Sequence, residues 1–269
     1  MDKLNSQISR INEKLKLARL KDSKFKAFGS SSHQYKIGKP LHEKTIKNFE
    51  EKYNIILPAS YKSFLSKIGN GGRKLSSHEN SNSAAGPFYG IFALGENVDI
   101  IVPYPYDYLS QMPSISPDTT EEEWNNLTKK INDDEIGDKE YDDELRKIYS
   151  GILPIGSQGC TYYHGILLNG KYKGKVVNIA LDCLKPKFTF ENNFLDWYER
   201  WLDETISGEL LKNDSMWFGY SKIEKNTKVT NQQETLFTEK ERSQEERLTN
   251  FLKETKYLKA KKKWYQFWK

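Results

Sequence analysis

Cys160 and His164 stand four residues apart in a stretch rich in strand-forming residues, and a thiol with an imidazole is a pairing that nucleophilic catalysis can use. On an extended backbone the two would share a face yet lie about 13 Å apart, beyond hydrogen-bond reach. The spacing therefore predicts a small buried cysteine and a strand histidine. His33, His42 and His78 fall in loops or at a helix start and show no metal-ligand spacing. The Gly156-Ser157-Gln158-Gly159 turn lacks the Lys-Ser/Thr ending and βα setting of a phosphate loop. In the acidic runs Asp133-Asp134-Glu135 and Asp142-Asp143-Glu144, adjacent helical residues point apart and nothing nearby would keep one carboxyl protonated. The expectation is no catalytic residue, no metal and no cofactor.

Binding fits the sequence better. Tyr104, Tyr106 and Tyr108 alternate beside Pro103 and Pro105, so rigid backbone would present rings that lose little entropy on contact. Packing on the protein's own sheet is the expected fate of at least one of them. The acidic residues Glu121, Glu122, Asp133, Asp134, Glu135, Asp142 and Asp143 form either a solvated face or a surface that steers a basic protein, such as a nuclease, into place. The ending Lys261-Lys262-Lys263-Trp264-Tyr265-Gln266-Phe267-Trp268-Lys269 has three readings. It could bind nucleic acid through phosphate contacts and ring stacking. It could lie on an anionic membrane. Or it could be a helix end that docks its aromatics and leaves its lysines in water.

A chain of 269 residues accommodates one large domain with appendages or two small ones. With 13% aromatic residues it has rings enough to need a core, and 29% charged residues make it polar outside. No apolar run approaches a membrane span, and the first residues lack a secretory apolar core. Two cysteines are too few for a disulfide framework, so the default compartment is the cytoplasm. The net charge of +5 conceals segregation. Residues 1–30 hold eight Lys/Arg against three acids, residues 221–269 hold thirteen against seven, and residues 117–150 hold twelve acids against five bases.

The elements follow from periodicity. Leu4, Ile8, Ile11, Leu15 and Ala18 predict an amphipathic helix over residues 3–20, joined by a flexible Gly29-Ser30-Ser31-Ser32 stretch. Ile46, Phe49 and Tyr53 mark a second helix. Tyr61, Phe64, Leu65 and Ile68 mark a third, opened by Pro58 and stopped by Gly69-Asn70-Gly71-Gly72. A Ser/Asn-rich loop should span 73–85, and a strand 88–94. Trp124, Leu127 and Ile131, then Tyr141, Leu145 and Ile148, predict two short helices in the acidic segment. Strands are expected at 151–156, 162–168 and 175–180, the last two joined by a hairpin, with a short edge strand at 188–190. A helix should follow over 191–205, with Phe194, Leu195, Tyr198, Trp201 and Leu202 on one face. The order lacks a βαβ rhythm and predicts an α+β fold: a mostly antiparallel sheet flanked by helices. Three parts are expected: an N-terminal helix and linker (1–30), a domain (31–220) carrying the acidic helical insertion (117–150), and a charged helical tail (221–269).

Four blocks resemble the SUKH superfamily, which holds bacterial toxin-immunity proteins and yeast cell-wall-synthesis regulators. They are the helix pair ending Leu57-Pro58 … Asn70-Gly71-Gly72; Gly86-Pro87-Phe88-Tyr89-Gly90-Ile91-Phe92; Ile152-Leu153-Pro154-Ile155-Gly156 through Tyr163 with the following hairpin; and Thr189-Phe190-Glu191-Asn192-Asn193-Phe194-Leu195-Asp196-Trp197-Tyr198. Together they cover roughly residues 41–205; the acidic insertion and the tail depart from the family's compact pattern. The resemblance implies a non-enzymatic protein that binds and neutralises a cognate toxin domain, often a nuclease or nucleotide-modifying enzyme. The yeast branch implies the alternative of an adaptor or scaffold that engages partners, nucleic acid or membrane through its basic-aromatic tail.

Overall fold

The computed structural model describes residues 3–74, 82–133, 135–181 and 184–212, which belong to one compact unit. The charged tail, including Lys261, Lys262, Lys263, Trp264 and Trp268, lies outside the described residues, as do His78, Asp134 and Cys183.

Seven strands form a single sheet whose spatial order equals the chain order: β1 (Arg73–Lys74), β2 (Asn82–Ala84), β3 (Ile91–Phe92), β4 (Ile152–Gly159), β5 (Tyr162–Leu167), β6 (Val176–Ala180) and β7 (Lys187–Phe188). Every neighbouring pair is antiparallel. With helices packed beside this sheet, the fold is the expected α+β. The central strands β4, β5 and β6 are buried over most of their length because apolar residues occupy both faces, as in Val176-Val177-Asn178-Ile179-Ala180. Two expectations shift. The 73–85 segment is not all loop, since its ends pair as β1 and β2, whose short polar composition gives no alternation to read. The 88–94 strand shrinks to two residues because Phe88 adopts φ 53° and turns the chain.

The helix α7 (Phe194–Ser207) packs against the sheet and forms the centre of the core. Asn193 caps it by accepting from the Asp196 amide. Trp197 is fully buried with its ring 5.0 Å from that of His164 on β5, and the Tyr198 hydroxyl donates to the Ala85 carbonyl at 2.7 Å. Two further helices are α3 (Glu43–Tyr53) and α4 (Ala59–Lys67), the latter against α7. Tyr61 and Phe64 of α4 stack around Phe194 at ring distances of 4.9 and 5.1 Å. Truncating a buried ring of this size costs about 3–5 kcal/mol.

The N-terminal helix α1 (Lys3–Lys21) runs alongside α7 in the same direction. Its buried face is Ile8, Ile11, Lys14, Leu17 and Ala18, so Leu15 from the expected stripe gives way to Leu17. The cause is electrostatic. Glu199 on α7 accepts from Arg10 and Lys14, and Lys14 also meets Asp203 at 2.7 Å, which rotates the lysine stem onto the interface. Burial alone would raise the Glu199 carboxyl, but the Arg10 hydrogen bonds and the Lys14 charge outweigh it and hold it below the usual carboxylate range.

The stretch after α1 is not the flexible joint its Gly/Ser composition predicts. Asp22, 2% exposed, accepts from the Lys26 and Ala27 amides, the Ser30 hydroxyl and the Tyr35 hydroxyl. Gly29 sits at φ +78° so tightly that an added Cβ would fall 2.3 Å from the Phe88 carbonyl carbon, and a short helix, α2 (Ser30–His33), follows it directly.

Candidate interaction face

Between β3 and β4, which are themselves paired, the chain makes a long excursion that carries both tyrosines and acids. It holds the 3-10 turn Asp107–Ser110 and the helices α5 (Glu121–Thr128) and α6 (Asp138–Ile148), as the two apolar stripes predict. Thr120 and Glu123 form a capping box that starts α5. Trp124, Ile131 and Ile148 anchor the pair to the body.

The three tyrosines have three fates. Tyr104, before a cis Tyr104-Pro105 peptide, is 76% exposed. Tyr106 is half-buried, its ring edge-on to Tyr104 at 5.6 Å and 5.9 Å from Tyr53 at the end of α3. Tyr53 in turn lies 4.7 Å from Phe49, so an aromatic series leads from solvent to the core. Partial burial and the Asp99 carboxylate raise the Tyr106 phenol, which stays a neutral donor at physiological pH. Tyr108 is 2% exposed and donates to the Val98 carbonyl. It is a core side chain, the fate expected for at least one of the three.

Arg146 of α6 connects the tyrosines to the acids. Its guanidinium donates to the Tyr104 carbonyl at 2.7 Å and to Asp143 at 2.5 Å. Around it the acids divide. Glu144 is buried and held by Lys130 and Lys147; the hydrogen bond from Lys147, joined by that from Lys130, outweighs burial and keeps its carboxyl low. Glu121 meets Lys185 at 3.1 Å. Glu122, Asp133 and Glu135 are exposed, Asp142 is half-buried, and all four lack an ion-pair partner among the described residues. Glu121 and Glu144 are thus paired within the protein, and Asp143 shares Arg146 with the Tyr104 carbonyl. Neither Tyr53 nor Arg146 stands out in the sequence as a contact residue. Tyr53 reads as one more member of an apolar stripe, and no local spacing links Arg146 to a carbonyl 42 positions away.

The thiol–imidazole pair is not assembled. Cys160 is exposed in the turn between β4 and β5 at φ 50°, correcting the expectation of a buried cysteine. β4 runs through Gly159 and reverses there, three residues past the expected strand end. His164 is fully buried on β5; its Nδ1 is 3.0 Å from Asn178 Oδ1, and burial pushes it down to about 3, so it is neutral. His33 is buried too, its Nδ1 accepting from the Tyr35 amide while Trp201 lies edge-on to its ring. His42 is exposed at the cap of α3. Among the described residues no group of three or more His, Cys, Asp or Glu is placed to hold a metal ion. No helix of the described residues is long and apolar enough to cross a membrane.

The single meandering sheet and the helices beside it define an α+β domain. The family model described as SMI1 / KNR4 (SUKH-1) matches residues 40–200. The chain therefore belongs to the SMI1/KNR4 family of the SUKH superfamily. No curated protein matches it significantly.

Proposed function

We propose that this protein is a non-enzymatic, immunity-type inhibitor that binds and neutralises a cognate bacterial toxin domain. The observation that carries the reading is the Arg146–Tyr104 hydrogen bond, which ties the exposed tyrosine loop to the acidic helix α6. Membership of a family with many toxin-neutralising relatives supports it. Tyr104 and Tyr106 supply rigid aromatic anchors, and Glu122, Asp133, Glu135, Asp142 and Asp143 supply the field that draws in a basic partner. Nuclease or nucleotide-modifying domains fit this chemistry, since a protein that handles phosphates presents a basic surface. The protein acts by covering that surface and needs no chemistry of its own.

The test is co-expression with the product of an adjacent toxin-like gene. The protein should restore growth and form a complex whose association rate falls as salt rises. Tyr104→Ala with Asp133→Lys and Glu135→Lys should abolish protection while the protein stays folded. Protection that survives all three changes would refute this face as the binding surface; no binding to the gene product would refute the immunity reading itself.

A further inference from the structure

A second surface of opposite charge lies on the N-terminal helix. Lys16, Arg19, Leu20, Ser23 and Phe25 line one open groove at the C-terminal end of α1. Four cations of α1 fall into two pairs. Half-exposed Arg10 and buried Lys14, four apart, face α7, where Arg10 pairs with Glu199 and Lys14 with Glu199 and Asp203. Lys16 and Arg19 point into solvent beside Leu20, and neither has an ion-pair partner among the described residues. Glu13, one turn earlier, forms no ion pair with them. Asp22, which follows in sequence, faces away: its two oxygens are occupied by two backbone amides and two hydroxyls inside the fold. The groove therefore keeps its positive charge. Two of its lining side chains are apolar, Leu20, 56% exposed, and half-buried Phe25.

We propose that this groove docks an acidic peptide segment of a partner protein, one that inserts a single large apolar side chain over Leu20 and Phe25 and sets carboxylates against Lys16 and Arg19. Lying on a membrane buries a run of apolar side chains, whereas the apolar lining described here amounts to Leu20 and half-buried Phe25. Single-stranded nucleic acid needs open ring faces, and Phe25 is already stacked towards Tyr35 at 6.5 Å. Charge complementarity favours carboxylates flanking an apolar anchor. The site is separate from the tyrosine-acid face and of opposite sign, so the protein can hold a second partner there.

The experiment uses the full chain and a fluorescein-labelled peptide of alternating acids with a central tryptophan, read by fluorescence anisotropy. Binding should weaken about tenfold with Lys16→Glu plus Arg19→Glu, and again when salt is raised from about 50 to about 300 mM. Leu20→Ser should weaken it at constant charge. Tyr104→Ala should leave it unchanged, which separates this site from the toxin-binding face. All four side chains are exposed, and a thermal melt verifies the fold of each variant. The proposal is overturned by any of four outcomes. These are no binding of the peptide, equal binding of a lysine-substituted control, undiminished binding by the double charge variant, or preferential binding of phosphatidylserine vesicles or an oligothymidine. Self-association lost in the same double variant would also overturn it, in favour of a second copy as the occupant.

Discussion

Tyr104 and Tyr108 are the same residue type four positions apart, and the fold assigns them opposite consequences. Tyr108→Ala removes a ring that is 2% exposed and leaves a void under the 3-10 turn that starts the insertion. Buried aromatic-to-alanine changes cost about 3–5 kcal/mol, a large part of the roughly 5–15 kcal/mol that holds an average domain together. Tyr108→Phe keeps the ring and removes only a long hydrogen bond, 3.3 Å to the Val98 carbonyl, so it should cost about 0.5–1 kcal/mol. Tyr104→Ala strips a side chain that is 76% exposed and should stay within about 0.5 kcal/mol of the parent. Urea denaturation followed by tryptophan fluorescence ranks the three, with Trp197 and Trp201 inside α7 as reporters. A cost above about 1 kcal/mol for Tyr104→Ala, or a smaller cost for Tyr108→Ala than for Tyr108→Phe, would refute these assignments.

Other predictions follow from the charged contacts. Glu199→Ala should destabilise by about 2 kcal/mol, below the 3–5 of a fully isolated buried charge because Asp203 still partners Lys14 and half-exposed Arg10 turns to water; a Lys14→Met cycle in the same denaturation assay should show coupling. The Glu199 carboxyl is held low in the folded state, so its contribution is fully present above about pH 4.3 and lost as pH falls through the lower folded value. The parent should therefore lose more stability than Glu199→Ala on acidification, as thermal melts at stepped pH would reveal. Asp22→Ala leaves two buried amides and two hydroxyls without their acceptor. It should cost about 3 kcal/mol and speed hydrogen exchange through residues 26–35.

The longer helices were legible from one-sided apolar spacing, most fully in α7, where Phe194, Leu195, Tyr198, Trp201 and Leu202 all reach the core. The central strands were legible from their apolar runs, and the order of elements was enough to place them in one antiparallel sheet. What stayed hidden depends on long-range partners. Lys14 reads as a solvent residue until Glu199 is brought beside it from 185 positions away. The Gly29-Ser30-Ser31-Ser32 composition reads as slack, and only Asp22 and the close backbone of Phe88 turn it into fixed structure. Cys160 looked internal because strand propensity does not announce where a hairpin reverses. For the candidate face, the Pro-Tyr alternation and the acids were visible at once. Their union was not, since it runs through an arginine bonding to a main-chain oxygen.

The two outermost described strands, β1 and β7, are each two residues long. Strands this brief offer only a couple of backbone groups of their own for another polypeptide to zip onto. Recognition by strand addition would find almost no purchase here. On the proposed function, selectivity would come from what side chains display on helices and turns, leaving the chain between β3 and β4 free to diversify over an unchanged sheet.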